Sequence, residues 1–386
     1  MTRWAIKAAG VLTPQRSLAN YAVIIEDSKI AGLCPASQLP EDLKVIDASE
    51  LTLAPGYIDI HNHGSVGVRA EEGPEAVHRI SEFLPTVGVT SWLPTVRTEA
   101  GVKGIVTAKA QGLAGADVAG IHMEGPYLAP KNLPGDEEEP LTVELDQLDR
   151  FMEAGEGLLR LVGVAPELPN ALAGIRHLAD NGVVVAAAHT KISYDEFMAA
   201  VDAGLRHVTH TYNVMSRLHH RSPNMVGGAL VTDEVTGELI SDGYHVHPVA
   251  MEILLRCKGV DKVALISDSV TYVGMPDGEY DGLVKKDGIL RRKGFDASTD
   301  HTMAGSVWPL DYNVANMVRS TSATLQDAVT MATLTPARIV GVAHRKGSIA
   351  PGKDADLILL NGDMKPVFTV VGGRIVYHDG SVQVLD

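Results

Sequence analysis

Between about residues 55 and 270 the chain alternates short, almost unbroken apolar runs with amphipathic stretches, and this rhythm restricts the fold more than any other feature. Eight candidate strands can be read at 56–63, 90–95, 118–124, 159–164, 183–189, 207–213, 239–245 and 263–268. Runs such as VVVAAAH and VALISD lack the alternation of a half-wet strand, so they suit parallel strands covered on both faces. Helical spacing lies between them, for instance at 74–84, 170–179 and 194–203. Eight βα units in about 215 residues predict a TIM-like (β/α)8 barrel near the lower end of its usual size. A doubly wound parallel sheet is the competing reading of the same alternation.

The two ends read differently. Residues 1–53 contain strand-and-turn text (YAVIIEDSKIAGL), and residues 347–386 contain more (ADLILLNGD, FTVVGGRIVYHDG). Neither end carries enough apolar residues for a core of its own. The expectation is therefore one small β-sandwich built from 1–53 and 347–386, beside a barrel spanning 54–346. Helices at 311–345 would close that barrel.

Composition narrows function. No apolar run approaches the roughly 18 residues of a membrane span, and the opening MTRWAIKAAGVLTP does not read as a signal peptide. Cys34 and Cys257 are isolated, which favours a reducing cytoplasm. The formal charge of −15 argues against nucleic acid and anionic membranes as partners, while leaving room for a small anion in a local cationic pocket.

The 15 histidines are more informative. The first strand ends Asp59-Ile60-His61-Asn62-His63, and strand alternation puts His61 and His63 on one face. The third ends at Glu124, the fifth at His189, the sixth at His210 and the eighth at Asp268. A barrel gathers those strand ends at its active face, so these six side chains would form a ring of nitrogen and carboxylate donors for one or two transition-metal ions. His122 reads as an orienting neighbour of a ligand, and His207, at the opposite strand end, as structural. His219, His220, His247 and His301 are read as surface or packed residues. Asp268 has two readings, a catalytic base or a helix N-cap between Ser267 and Ser269.

These segments resemble the amidohydrolase superfamily and, more narrowly, the N-acetylglucosamine-6-phosphate deacetylase family. The likeness runs through APGYIDIHNHG, IHMEGPYLAP, VTHTYNVMSRL, ISDGYHVHP, ALISDSV, MAGS, ATLTPARIVG and GSIAPGKDADLILL. The closing segment marks only the superfamily, whereas the EGP and THxYNxM segments are particular to the deacetylase branch. The fourth strand, LLRLVGVAPE, has no lysine to be carbamylated, unlike hydantoinase and dihydroorotase relatives. The resemblance implies Glu124, His189 and His210 as principal ligands of Zn or Fe, and His61 with His63 as capacity for a second ion bridged by Glu124. It implies Asp268 as general base and acid. Asn213, Val214 and Arg221 would bind a phosphate, with Arg221 reaching into the partner's site of a homodimer. His245 would touch the sugar, and Met303, Ala304 and Gly305 would supply backbone contacts.

The implied activity is deacetylation of N-acetylglucosamine 6-phosphate or a close N-acetylhexosamine 6-phosphate. One departure bears on substrate. The family's Gly-small-His triplet after EGP is replaced here by a stretch leading into Gly135-Asp136-Glu137-Glu138-Glu139, read as a solvated acidic loop. Val214 also replaces a smaller residue. An amidohydrolase for another N-acyl compound, or a catalytically silent sugar-phosphate-binding barrel, are the alternatives.

Overall fold

A computed structural model describes residues 3–130, 141–292 and 305–383. Eight parallel strands pair in strict chain order: β1 (Tyr57–Asn62), β2 (Val89–Val96), β3 (Ile121–Glu124), β4 (Leu159–Val164), β5 (Val184–Ala187), β6 (His207–Val208), β7 (Thr236–Ile240) and β8 (Val263–Ile266). The end of β8 returns to β1, where the Asp268 N–H donates to His61 O at 3.0 Å and Ser269 bridges Asn62 in parallel. This closure makes the barrel and excludes an open doubly wound sheet.

Helices follow the strands as the alternation predicted. The helix Tyr194–Ala203 shows why. The Ser193 hydroxyl accepts the Glu196 N–H while the Glu196 carboxylate accepts the Ser193 N–H, satisfying two amides a helix start leaves open. Gly204 at φ 119° ends it, and Phe197, Ala200 and Val201 are buried beneath it. The next helix, Asn224–Val231, approaches so closely that a Cβ on Gly228 would lie 2.4 Å from Phe197 Cδ1. Helices Leu310–Ser320, Leu325–Met331 and Leu334–Ile339 follow β8.

Several of the predicted strands stop short of their expected ends, β8 at Ile266 among them. β5, β6 and β7 stop at Ala187, Val208 and Ile240 because the backbone then leaves the extended region: φ is 44° at His189, 29° at His210, 81° at Tyr212 and 51° at Val214. After β7 the Asp242 carboxylate takes the N–H groups of Tyr244 and His245 at 2.8 Å, forming a turn. Between β8 and the helix at 310 lies an insertion unread in the sequence, holding a three-stranded antiparallel sheet of Gly278–Tyr280, Leu283–Lys286 and Ile289–Arg292.

The chain ends do meet, as a single seven-stranded sheet in the order 374–378, 366–371, 357–360, 44–55, 3–12, 17–26, 29–35. Its pivot is Lys44–Pro55, parallel to Arg3–Leu12 and antiparallel to Leu357–Leu360. Trp4, Ile6, Val23, Ile25, Ile46, Leu357, Leu359 and Phe368 pack together on it, while Ile358 and Leu360 join the apolar cluster of the barrel. Thr369 Oγ1 fastens the two units by donating to Pro85 O at 2.8 Å. No helix among the described residues is long and apolar enough to cross a membrane.

Candidate active site

In β3 the side chain of Met123 enters the outer apolar cluster, so the alternate residues His122 and Glu124 face the opposite way, toward the barrel axis. Glu124 Oε1 lies 3.0 Å from His189 Nε2 and 3.1 Å from His210 Nε2, and the two nitrogens are 3.1 Å apart. Three buried donor atoms with this spacing fit a metal, since the donor–donor edge of a tetrahedral shell with bonds of about 2.0–2.1 Å is roughly 3.3 Å. Each histidine reaches the triangle from a left-handed residue two positions beyond its strand, a costly backbone state that the surrounding barrel holds in place.

A second group of donors adjoins the first. His61 Nε2 and His63 Nε2 lie 3.1 Å apart, and Asp268 Oδ1 sits 3.4 Å from one and 3.5 Å from the other. Glu124 stands between the groups, its Oε2 3.5 Å from His63 Nε2. Asp268 also has positive φ, 45°, and no helix begins there, so the N-cap reading is excluded. All six predicted donors therefore converge at one mouth of the barrel.

The electrostatics are those of a buried, internally compensated cluster. Burial pushes the Glu124 carboxyl up, but hydrogen bonds from His189 and His210 outweigh it and hold the group well below the carboxylate range. Burial likewise opposes charging of His61, and the carboxylates of Glu238 and Asp268 outweigh it, raising the imidazole to about 10. Burial takes His63 well below its ordinary value and His122 down to about 3.

Beneath the mouth the structure shows a carboxylate the sequence reading missed. Glu238, fully buried in β7, has Oε2 2.9 Å from His61 Nδ1 and accepts the His210 N–H at 3.0 Å. Its other oxygen faces His207 Nε2 at 3.4 Å. It thus braces the imidazole of His61 in one donor group and the main chain at His210 in the other. The visible signal was an acidic residue inside the apolar text TGELI. His207 is structural, with Nδ1 2.7 Å from Thr236 Oγ1. His122 lies edge-on to His61, with ring centroids 4.5 Å apart, and its Nδ1 faces Thr95 Oγ1 at 3.2 Å. Arg97, just past β2, was also overlooked; its Nη2 lies 2.7 Å from Glu124 Oε2.

The expected substrate contacts have fewer fixed partners. His245 Nδ1 is held by Asp242 Oδ2 at 2.6 Å, leaving a buried Nε2 without a hydrogen-bond partner among the described residues. Gly305 lies beside Asp268, as the Ser306 N–H donates to Asp268 O at 3.0 Å. Its φ is 70°, and a Cβ there would lie only 2.4 Å from Val270 Cγ1, so the position demands glycine. Asn213 Nδ2 donates to His210 O at 3.3 Å, Val214 is 42% exposed, and Arg221 is exposed with Nη1 2.8 Å from His220 Nε2. Met303, Ala304 and the acidic stretch 136–139 lie outside the described residues.

Residues 52–376 match the Amidohydrolase family and residues 4–49 match the NagA composite domain. The chain is 35% identical over 367 residues to an N-acetylgalactosamine-6-phosphate deacetylase of Escherichia coli O157:H7, covering 93% of this chain and 95% of the relative. It is 32% identical to the N-acetylglucosamine-6-phosphate deacetylase of Bacillus subtilis (strain 168), over 96% of both chains. Among solved structures, an aspartate-to-alanine variant of the Mycobacterium smegmatis N-acetyl-D-glucosamine-6-phosphate deacetylase, in complex with N-acetyl-D-glucosamine-6-phosphate, superposes with a TM-score of 0.88. The two are 28% identical, and the match covers 98% of this chain and 100% of that one.

Proposed function

The chain belongs to the amidohydrolase family, and on that premise we propose that it is a metal-dependent deacetylase of an N-acetylhexosamine 6-phosphate, with N-acetylglucosamine 6-phosphate the leading substrate. The observation that carries the reading is the triangle of Glu124, His189 and His210 with Asp268 opposed to it across His61 and His63. Glu124, His189 and His210 would hold a Zn or Fe ion. When bound, such an ion lowers the pKa of water from about 15.7 toward 7 and polarises an amide carbonyl.

The remaining work falls to the chain. Asp268 is almost buried, with Oδ1 facing His61 and His63. It takes a proton from the attacking water as the carbon–oxygen bond forms. It then returns that proton to the amide nitrogen as the carbon–nitrogen bond breaks, releasing acetate and the free amine. His245, fixed through Nδ1 by Asp242, presents Nε2 to the sugar. The planar fork of Arg221 suits a phosphate, and we place it at the partner's site in a homodimer. The free cysteines Cys34 and Cys257 suit a cytoplasmic enzyme.

Acetate release from the 6-phosphates of N-acetylglucosamine and N-acetylgalactosamine, and from both sugars without phosphate, tests the proposal. Turnover of a phosphorylated sugar, with binding greatly weakened in Arg221→Ala, is the expected result. Equal turnover of the unphosphorylated compounds would instead favour an amidohydrolase for another N-acyl substrate, and absence of turnover in metal-replete protein a silent binding barrel.

A further inference from the structure

Glu124 offers its two oxygens to two different neighbourhoods. Oε1 closes the triangle with His189 and His210. Oε2 points toward His63, and it is the atom through which a carboxylate between the two donor groups would serve an ion held by His61, His63 and Asp268. That oxygen is already engaged: the Arg97 guanidinium lies 2.7 Å from it. The main chain at Arg97 is anchored locally, since its backbone N–H donates to Glu71 Oε2 at 2.7 Å, and the Thr98 hydroxyl bonds the other oxygen of the same carboxylate. Its side chain is 44% exposed, so the guanidinium enters from the solvent side of the cluster.

We infer that Arg97 limits the centre to one tightly held ion, its guanidinium standing on Glu124 as a fixed cation where a second metal would otherwise be bridged. The inference rests on the reading of Glu124, His189 and His210 as metal ligands. Arginine stays charged at any working pH, so the position is permanently cationic. A dication approaching His61 and His63 meets that charge nearby, and it finds the bridging oxygen occupied by a charge-assisted hydrogen bond. His61 and His63 then act beside a single-ion centre, facing Asp268.

The test is metal stoichiometry rather than turnover. Full-length protein is stripped with chelator, incubated with excess Zn²⁺, desalted and assayed by inductively coupled plasma mass spectrometry, with Zn²⁺ titration calorimetry alongside. Wild type retains one ion per chain, Arg97→Met retains two, and Arg97→Lys, which keeps the charge, retains one. Adding His63→Ala to Arg97→Met removes the second ion and spares the first. Two ions of comparable affinity in wild type overturn the inference and leave the metal reading standing. So does a single ion in an Arg97→Met protein with wild-type circular dichroism, or a second ion that survives the added His63→Ala. A wild type that binds none overturns the metal reading itself.

Discussion

Replacing Glu238 separates what its charge contributes from what its shape contributes. Its Oε2 serves two partners, His61 Nδ1 at 2.9 Å and the His210 N–H at 3.0 Å, in a site with no solvent exposure. Glu238→Gln keeps an oxygen for those two partners and turns an amide group toward His207 Nε2, so only the charge is lost. Hydrogen bonds to charged groups contribute about 1.5–3 kcal/mol and neutral ones about 0.5–1.5, so two bonds losing their charge cost about 2 kcal/mol. Glu238→Ala instead leaves two buried donors unmet and opens a small void, costing about 3–5 kcal/mol. A chain of 386 residues unfolds with an entropy of about 0.8 kcal/mol/K, from roughly 2.1 cal/mol/K per residue. The expected falls in melting midpoint are thus about 2–3 °C for Gln and about 4–6 °C for Ala. Zn²⁺ affinity should weaken in the same order, by about 10–100-fold for Ala, because the left-handed turn that aims His210 at the triangle loses the carboxylate holding its main-chain N–H. Differential scanning calorimetry with zinc titration reads both. An alanine variant within about 1 °C of wild type and with unchanged zinc affinity would refute the role given to Glu238, and a glutamine variant as damaged as alanine would refute the split between charge and shape.

Other outcomes follow from the same geometry. Asp268→Asn should lower kcat by about 10²–10⁴ with little change in KM, read by steady-state acetate release, since it removes the proton carrier and leaves the donor triangle intact. Chelation should abolish turnover and added Zn²⁺ or Fe²⁺ restore it, whereas His189→Ala should resist rescue at the same metal concentration. Asp311 sits with a buried Oδ1 that lacks a hydrogen-bond partner, and burial raises its carboxyl from 3.8 to about 6. Its folded state favours the protonated form, so stability falls as pH rises from about 3.8 through 6, by up to about 3 kcal/mol. Asp311→Asn should therefore raise the midpoint at about pH 7–8 by about 3 °C and flatten the pH dependence, seen in calorimetric scans from about pH 4 to 8.

The donor ring was legible because strand geometry made it so. His61 and His63 share a face at any register of β1, and Glu124, His189, His210 and Asp268 terminate apolar runs that a closed barrel must direct to one end. What escaped was whatever depends on through-space neighbours. Glu238 and Arg97 stand alone in their segments, and only closure brings one beneath His61 and the other onto Glu124. The strand ends were overestimated for a related reason. The expected strands run on past Ala187 and Val208, but the backbone turns left-handed at His189 and His210, a conformation that residue type does not announce. The terminal text predicted strands correctly, but could not say that Lys44–Pro55 would lie at the centre of their sheet.

That central placement has a consequence for biosynthesis. One edge of Lys44–Pro55 pairs at once with Arg3–Leu12, whereas its other partner, Leu357–Leu360, is translated about 300 residues later. At roughly 5–20 residues per second the ribosome leaves this edge uncapped for about 15–60 s. Throughout that interval the nascent chain displays unpaired backbone amides and carbonyls on a strand ending Leu51-Thr52-Leu53-Ala54-Pro55, a template for pairing with any other emerging polypeptide. Chaperone cover over the N-terminal strands during synthesis, or slower aggregation in a circular permutant that makes 347–383 before residue 3, are the cellular signatures such a design would leave.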